Sequence, residues 1–190
     1  AIRNLVEICA SKGIEQVVVS PGSRNAALSI SFNRHPNFKT TVIVDERSAA
    51  FYALGVAQQT KKTVAIVCTS GTAALNYAPA IAEAYYQKIP LLVLTADRPA
   101  EWIDQMDGQT IRQENVFANY IKKSFNLPTD PIKNEEVWHA SRMCSEAIES
   151  CAYPEFGPVH INVPMREPLY DTKDYSKDPL PQIFSTISTN

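Results

Sequence analysis

The 190-residue sequence contains no uninterrupted apolar stretch near the roughly 20 residues of a membrane-spanning helix, so no membrane segment is expected. Excess positive charge is missing as well: 18 Lys and Arg face 20 Asp and Glu, for a net charge of -2. Without a basic field the chain is not expected to hold nucleic acid or an anionic membrane, and any anion must be caught by a few placed groups. The opening AIRNLVEICASKG lacks the basic region and apolar run of a secretory signal. It starts inside a helical pattern without an initiator Met, and so reads as a trimmed piece of a longer chain. The 4 cysteines, Cys9, Cys68, Cys144 and Cys151, form no CxxC, and the 3 histidines do not cluster beside them, so no zinc site is expected. They read as small buried apolar residues, which fits a reducing cytoplasm. Neither GxGxxG nor GxxxxGK[ST] occurs, which removes the standard nucleotide fingerprints. Internal repeats and low-complexity blocks are also absent.

What is present is alternation. Short β-branched runs at 14–20, 39–44, 62–68, 90–96, about 120–127 and 157–163 read as strands. Between them, helical patterns fit roughly 1–12, 25–34, 46–59, 72–87 and 133–151. The runs at 62–68 and 90–96 are nearly continuously apolar, as expected where both faces of a strand are covered. This order predicts an α/β three-layer sandwich: a mostly parallel sheet of about six strands with helices on both faces. A single domain over 1–165 is expected, and the Pro-, Asp- and Ser-rich residues 166–190 read as a linker leaving it.

Polar segments follow the first four strands, and right-handed crossovers bring them to one rim, where such sheets bind ligands. In SPGSRN (20–25), Pro21 and Gly22 suit a tight turn, Ser23 or Asn25 a helix cap, and Arg24 a forked donor for a carboxylate. The segment alone fits a capped turn with an exposed Arg better. In DERS (45–48), Asp45 is the natural cap, which leaves Glu46 at the rim facing solvent or a ligand. Thr69, Ser70 and Gly71 of TSGTAALN form a Gly-containing turn that either caps a helix or cradles an anion or a ring edge. The long connection ADRPAEWIDQMDGQTIRQ (96–113) carries Arg98, Gln109, Arg112 and Gln113, and loops of this length are often functional. Its Trp102 also suits packing on a neighbouring domain.

Taken in order, SPGSR (20–24), DER with AxGVA (45–47 and 53–57), TSGTA (69–73), LTADRP (94–99) and GQTIRQ (108–113) resemble one group of thiamine-diphosphate enzymes. That group is the menaquinone-pathway 2-succinyl-5-enolpyruvyl-6-hydroxy-3-cyclohexene-1-carboxylate synthase family. The resemblance covers roughly residues 1–165 and makes them its pyrimidine-binding domain, with 166–190 leading toward a central domain absent here. It implies an enzyme that decarboxylates 2-oxoglutarate and adds the resulting succinyl-semialdehyde unit to isochorismate, using thiamine diphosphate and Mg²⁺. Glu46 matches the catalytic glutamate that hydrogen-bonds the pyrimidine N1′ and favours the imino tautomer of the 4′-amino group. Ser23, Arg24, Arg98 and Gln109 match positions that bind substrate carboxylates and hydroxyls. Pro21, Thr69, Ser70 and Gly71 match positions near the cofactor. Gly108 stands where some relatives carry Asn, so it receives no side-chain role.

The family binds pyrophosphate through Mg²⁺ with a GDG-type motif in a carboxyl-terminal domain, and no GDG occurs here. The resemblance therefore implies a piece inactive by itself, without its own metal site. It also implies a cytoplasmic homo-oligomer, dimer or tetramer, whose active sites are shared between subunits. Two alternatives stand beside this reading. An acetolactate-synthase-like enzyme would keep Glu46 and change the acceptor. A non-catalytic α/β domain would bind an anion or a partner at the rim and leave Glu46 without a ring.

Overall fold

The structure, a computed structural model, describes residues 2–169 and 180–187. Its strands are β1 (Gln16–Val19), β2 (Lys39–Val42), β3 (Val64–Cys68), β4 (Leu91–Asp97), β5 (Lys123–Asn126) and β6 (Val159–Pro164). Its helices are α1 (Ile2–Ser11), α2 (Ala26–Arg34), α3 (Glu46–Thr60), α4 (Thr72–Asn76), α5 (Ala78–Gln87) and α6 (Asn134–Ser150). All pairings are parallel, in the order β2-β1-β3-β4-β6-β5.

Side-chain alternation along each strand feeds two separate cores. Val17, Val19, Ala65, Val67, Leu92 and Leu94 pack against Leu5, Ile8 and Leu28 of α1 and α2 and against Cys144 and Ile148 of α6. Val18, Val64, Ile66, Cys68, Leu91 and Val93 meet α3, α4 and α5 on the opposite face. Helices therefore cover both sides, as the alternation predicts. Strands β3, β4 and β6 are buried at every residue. Edge strands β2 and β5 are only partly covered and expose Lys39 and Lys123, charges that discourage pairing with another chain.

Helix α3 presents Ala49, Ala50, Ala53 and Ala57 to the core, each fully buried. The carboxylate of Asp45 accepts from Ser48 N at 2.7 Å and caps the first turn. The last turn ends where Lys61 adopts φ 57°, in the left-handed region.

One expected helix is divided. Instead of running from 72 to 87, it breaks at Tyr77 into α4 and α5. Pro79 lacks an N–H to continue a helix but suits the first turn of a new one. Tyr77 itself is fully buried, with its hydroxyl 3.5 Å from Ser20 Oγ.

All four cysteines are buried and free, as expected. Burial pushes Cys144 and Cys151 up to about 12, so neither is a thiolate at neutral pH. Of the linker expected at 166–190, residues 170–179 and 188–190 lie outside the described residues. Residues 180–187 lie along α1 and α6: Lys12 Nζ donates to Phe184 O at 2.7 Å, and Thr186 N donates to Glu149 at 2.8 Å. Among the described residues, no helix is long and apolar enough to cross a membrane.

Candidate active site

The chain runs outward from β1 to β2, then returns past β1 to β3. That reversal makes the carboxyl ends of β1 and β3 a topological switch point, the place where open α/β sheets bind ligands. The turns after both strands meet there. A Cβ at Gly22 would sit 2.5 Å from Thr69 Cβ, so only glycine lets the Pro21–Ser23 turn nest against the Thr69–Gly71 turn. Pro21 and Ser23 are exposed on this rim, while Thr69, Ser70 and Gly71 are buried.

Asn25 occupies the position before α2 but does not cap it. Its Nδ2 donates instead to Ser20 O at 2.9 Å, tying the helix start to the end of β1. Its buried Oδ1 has no partner.

Arg24 is not the exposed side chain that its own segment favours. It is only 5% exposed, with Nη1 donating to Met165 O at 3.1 Å and Nη2 to Glu167 Oε1 at 3.3 Å. Arg98, from the end of β4, approaches the same Glu167 oxygen at 3.8 Å and donates from Nη2 to Gly108 O at 3.2 Å. Its Nε lies 3.1 Å from Asp107 Oδ2, close enough for ion pairing, yet the N–H is misaligned and makes no hydrogen bond. Two guanidinium groups from distant segments thus converge on one carboxylate oxygen.

The long loop is fastened to the glycine turn by a reciprocal pair. Ser70 Oγ donates to Gln109 O at 3.0 Å, and Gln109 Nε2 donates to Ser70 O at 3.1 Å. Gly71 has φ 80°, and a Cβ there would lie 2.8 Å from Gln109 Cγ and O. Glycine is needed at this position twice over, for conformation and for space.

Glu46 begins α3 and is half-buried. Asp45 has taken the capping role, and hydrogen bonding from Ser48 holds its carboxyl below the usual range. The Glu46 carboxylate makes no hydrogen bond or ion pair among the described residues. Its charge helps to raise the Cys68 thiol and the Tyr77 hydroxyl, so it faces the end of β3 and the α4–α5 junction. Burial is the larger cause in both groups. An acidic side chain on the rim without a partner among the described residues is available to share a proton with a ligand.

Beneath the rim lies a buried polar network. Asn162 Nδ2 donates to Asp97 Oδ2 at 2.7 Å and to Asn126 Oδ1 at 2.9 Å, and Asp97 Oδ1 accepts from Arg98 N at 2.8 Å. Burial raises the Asp97 carboxyl against the lowering effect of these donors. Burial also pushes His160 down to about 3, so it is neutral at ordinary pH. Among the described residues, no group of three or more His, Cys, Asp or Glu is arranged to hold a metal.

The structure therefore gathers Pro21, Ser23, Arg24, Glu46, Thr69, Ser70, Gly71, Arg98 and Gln109 onto the carboxyl edge of one sheet. Sequence reasoning missed Glu167, which lies in the segment read as linker, and the role of Gln113, whose burial leaves no periodic signal in a loop.

A family model described as "Thiamine pyrophosphate enzyme, N-terminal TPP binding domain" matches residues 2–120. The chain belongs to this family of thiamine pyrophosphate enzyme N-terminal domains. Within it, the chain is similar to curated proteins named 2-succinyl-5-enolpyruvyl-6-hydroxy-3-cyclohexene-1-carboxylate synthase. It is 53% identical to that of Cytophaga hutchinsonii over 171 residues, covering 90% of this chain and 30% of the relative. With the Flavobacterium johnsoniae protein it shares 54% identity over 170 residues, again 90% of this chain and 30% of the relative. With the Christiangramia forsetii protein identity is 52% over 198 residues, 97% of this chain and 34% of the relative. The chain thus spans about a third of the length of the curated relatives it matches.

Proposed function

We propose that this chain is the pyrimidine-binding part, residues 1–165, of a thiamine-diphosphate-dependent synthase that decarboxylates 2-oxoglutarate and joins the remaining succinyl-semialdehyde unit to isochorismate in menaquinone biosynthesis. The observation that carries the reading is one rim that holds both an unpartnered carboxylate, Glu46, and two converging guanidinium groups, Arg24 and Arg98. The names of the curated relatives support the same choice of reaction.

The residues present fit the cofactor's pyrimidine. Glu46 offers a free carboxyl on the rim that also carries the Pro21–Ser23 and Thr69–Gly71 turns, whose backbone and small side chains would meet a flat ring. When bound, thiamine diphosphate supplies the electron sink for carbon dioxide loss from a 2-oxo acid. Glu46 Oε holds and returns a proton at the ring nitrogen N1′, as a general acid–base. Pro21, Thr69, Ser70 and Gly71 orient the ring and keep water from its face. Arg24 and Arg98 bind substrate carboxylates, with Ser23 and Gln109 adding polar contacts to carboxylates and hydroxyls. Both substrates are dicarboxylates, and a chain of net charge -2 needs such fixed cations to hold them. An acetolactate-type synthase would require an apolar pocket where Arg24 and Arg98 stand.

Mg²⁺ and the pyrophosphate belong to other parts of the whole protein, toward which residues 166–190 lead. The active site is completed between subunits of a cytoplasmic homo-oligomer. The test is an assay of the full-length protein with thiamine diphosphate and Mg²⁺, following carbon dioxide release from 2-oxoglutarate with and without isochorismate. Turnover that depends on both additions and couples to isochorismate is expected. Release that ignores isochorismate, or no release, would overturn the reading.

A further inference from the structure

We infer that Gln113 is a positioning residue for this site: its buried amide locks the Thr69–Gly71 turn to the end of β4 and thereby sets the spacing between the cofactor-facing turn and Arg98. The inference rests on the function proposed above.

Gln113 is fully buried. Its Oε1 accepts from Gly71 N at 2.7 Å, while its Nε2 donates to Ala96 O at 3.0 Å and to Asn162 Oδ1 at 2.9 Å. The orientation of the amide is unambiguous, because Gly71 N can only donate and Ala96 O can only accept. Both Nε2 protons are used, so no donor is spare.

The partners are equally committed. Asn162 Oδ1 also accepts from Thr95 Oγ1 at 2.9 Å. With its own proton given to Asn162, the Thr95 hydroxyl accepts from His160 Nε2 at 2.7 Å. The remaining ring nitrogen, Nδ1, then accepts from Ser124 Oγ at 3.1 Å. Two donor runs therefore converge on Asn162 Oδ1: one from Ser124 through His160 and Thr95, the other from the Gly71 amide through Gln113. The network reaches Arg98 by a second branch, through Asn162 and Asp97 to the Arg98 backbone.

Gly71 N stands at the start of α4, where a helix has no acceptor of its own for its first amides. Gln113 supplies that acceptor from a residue 42 positions away. Fully buried, it offers no surface to a substrate or cofactor. What it controls is the placement of the turn that does, and a misplacement of about 1 Å far from the chemistry can cost on the order of 10²-fold in rate.

The test compares full-length wild type, Gln113→Glu and Gln113→Leu. The Glu variant keeps the shape and the acceptor for Gly71 but loses both donors; the Leu variant loses the acceptor too. Deuterium uptake is read by mass spectrometry on overlapping fragments spanning 69–76, beside melting temperature, kcat and KM. In wild type the Gly71 amide is protected. In both variants uptake at 69–76 rises while distant fragments are unchanged, and kcat falls by about 10- to 100-fold with smaller changes in KM for either substrate. The Leu variant is the more severe. An unprotected wild-type Gly71 amide would overturn the inference even if a variant failed to fold. So would variants whose uptake and kcat match wild type, or losses that only track global melting. If wild type releases no carbon dioxide from 2-oxoglutarate, the functional reading falls, and the exchange data still judge Gln113.

Discussion

The two halves of the rim use their polar groups in opposite ways. Beyond β1 and β3 two groups are left open: the Glu46 carboxylate has no partner among the described residues, and Asn25 Oδ1 is buried and unpaired. Beyond β4 and β6, Thr95, Asp97, Gln113, His160 and Asn162 hydrogen-bond one another, and Arg98 Nε at the margin of this network is left without a hydrogen bond. Unsatisfied buried groups cost free energy that a fold keeps only where something else gains from them. On the function proposed above, the open half would meet the cofactor and the hydrogen-bonded half would anchor it. A site of this kind needs both, because a free carboxylate is useful only if the wall opposite it does not move.

The contrast can be broken first at Glu46. In the full-length protein, Glu46→Gln should reduce kcat by about 10²-fold or more, the usual range of general acid–base assistance. Melting temperature should change little, because the carboxylate has no hydrogen-bond or ion-pair partner among the described residues and gives up only its interaction with the helix dipole. Wild-type turnover in that variant would remove the proton role.

On the anchor side the strongest lever is acid. His160 has a folded pKa of about 3 against 6.5 in the unfolded chain, so below pH 6.5 the unfolded state binds the extra proton. Stability is complete above that pH and falls as pH drops toward 3, by up to about 1.4 kcal/mol per pH unit from this group alone. Urea unfolding between pH 7 and pH 4 should show that slope in wild type and a shallower one in His160→Gln. Equal slopes would mean that the ring is not held neutral.

At the seam inside the open half, Gly22→Ala should cost about 1–3 kcal/mol, since its methyl meets Thr69 Cβ and cannot turn aside. Denaturant midpoints of the two proteins measure this, and an unchanged midpoint would show that the turns are not nested. The smallest effect is expected at Glu167, which is largely exposed. Glu167→Gln frees both guanidinium groups of a competing carboxylate, so KM for the dicarboxylate substrates should fall by about two- to fivefold at unchanged kcat. A raised KM would instead make Glu167 a support for the arginines.

Much of this arrangement is legible in the sequence, for physical reasons. Strand and helix alternation follows from apolar runs whose period and length differ, and the buried strands β3 and β4 announce themselves by having no polar face. The cap at Asp45 can be read from capping chemistry alone, whereas the segment leaves Glu46 facing either solvent or a ligand. The break at Tyr77 was also written there, in Pro79, but a continuous apolar pattern through 72–87 outweighed it. Arg24 could not be read, because its burial is set by Met165 and Glu167, more than 140 positions later. Gln113 is the same case: a loop has no period, so nothing local separates a buried amide from a solvated one.

The alanines of α3 carry a consequence that reaches the chemistry. Ala49, Ala50, Ala53 and Ala57 let the helix axis ride low over the strands, and Glu46 is mounted on the first turn of that same rigid rod. Its elevation is thus gauged by four methyl groups that never meet a ligand. A bulkier residue at any of them would act as a shim, tilting the rod and displacing Glu46 while the other residues of the rim stayed in place.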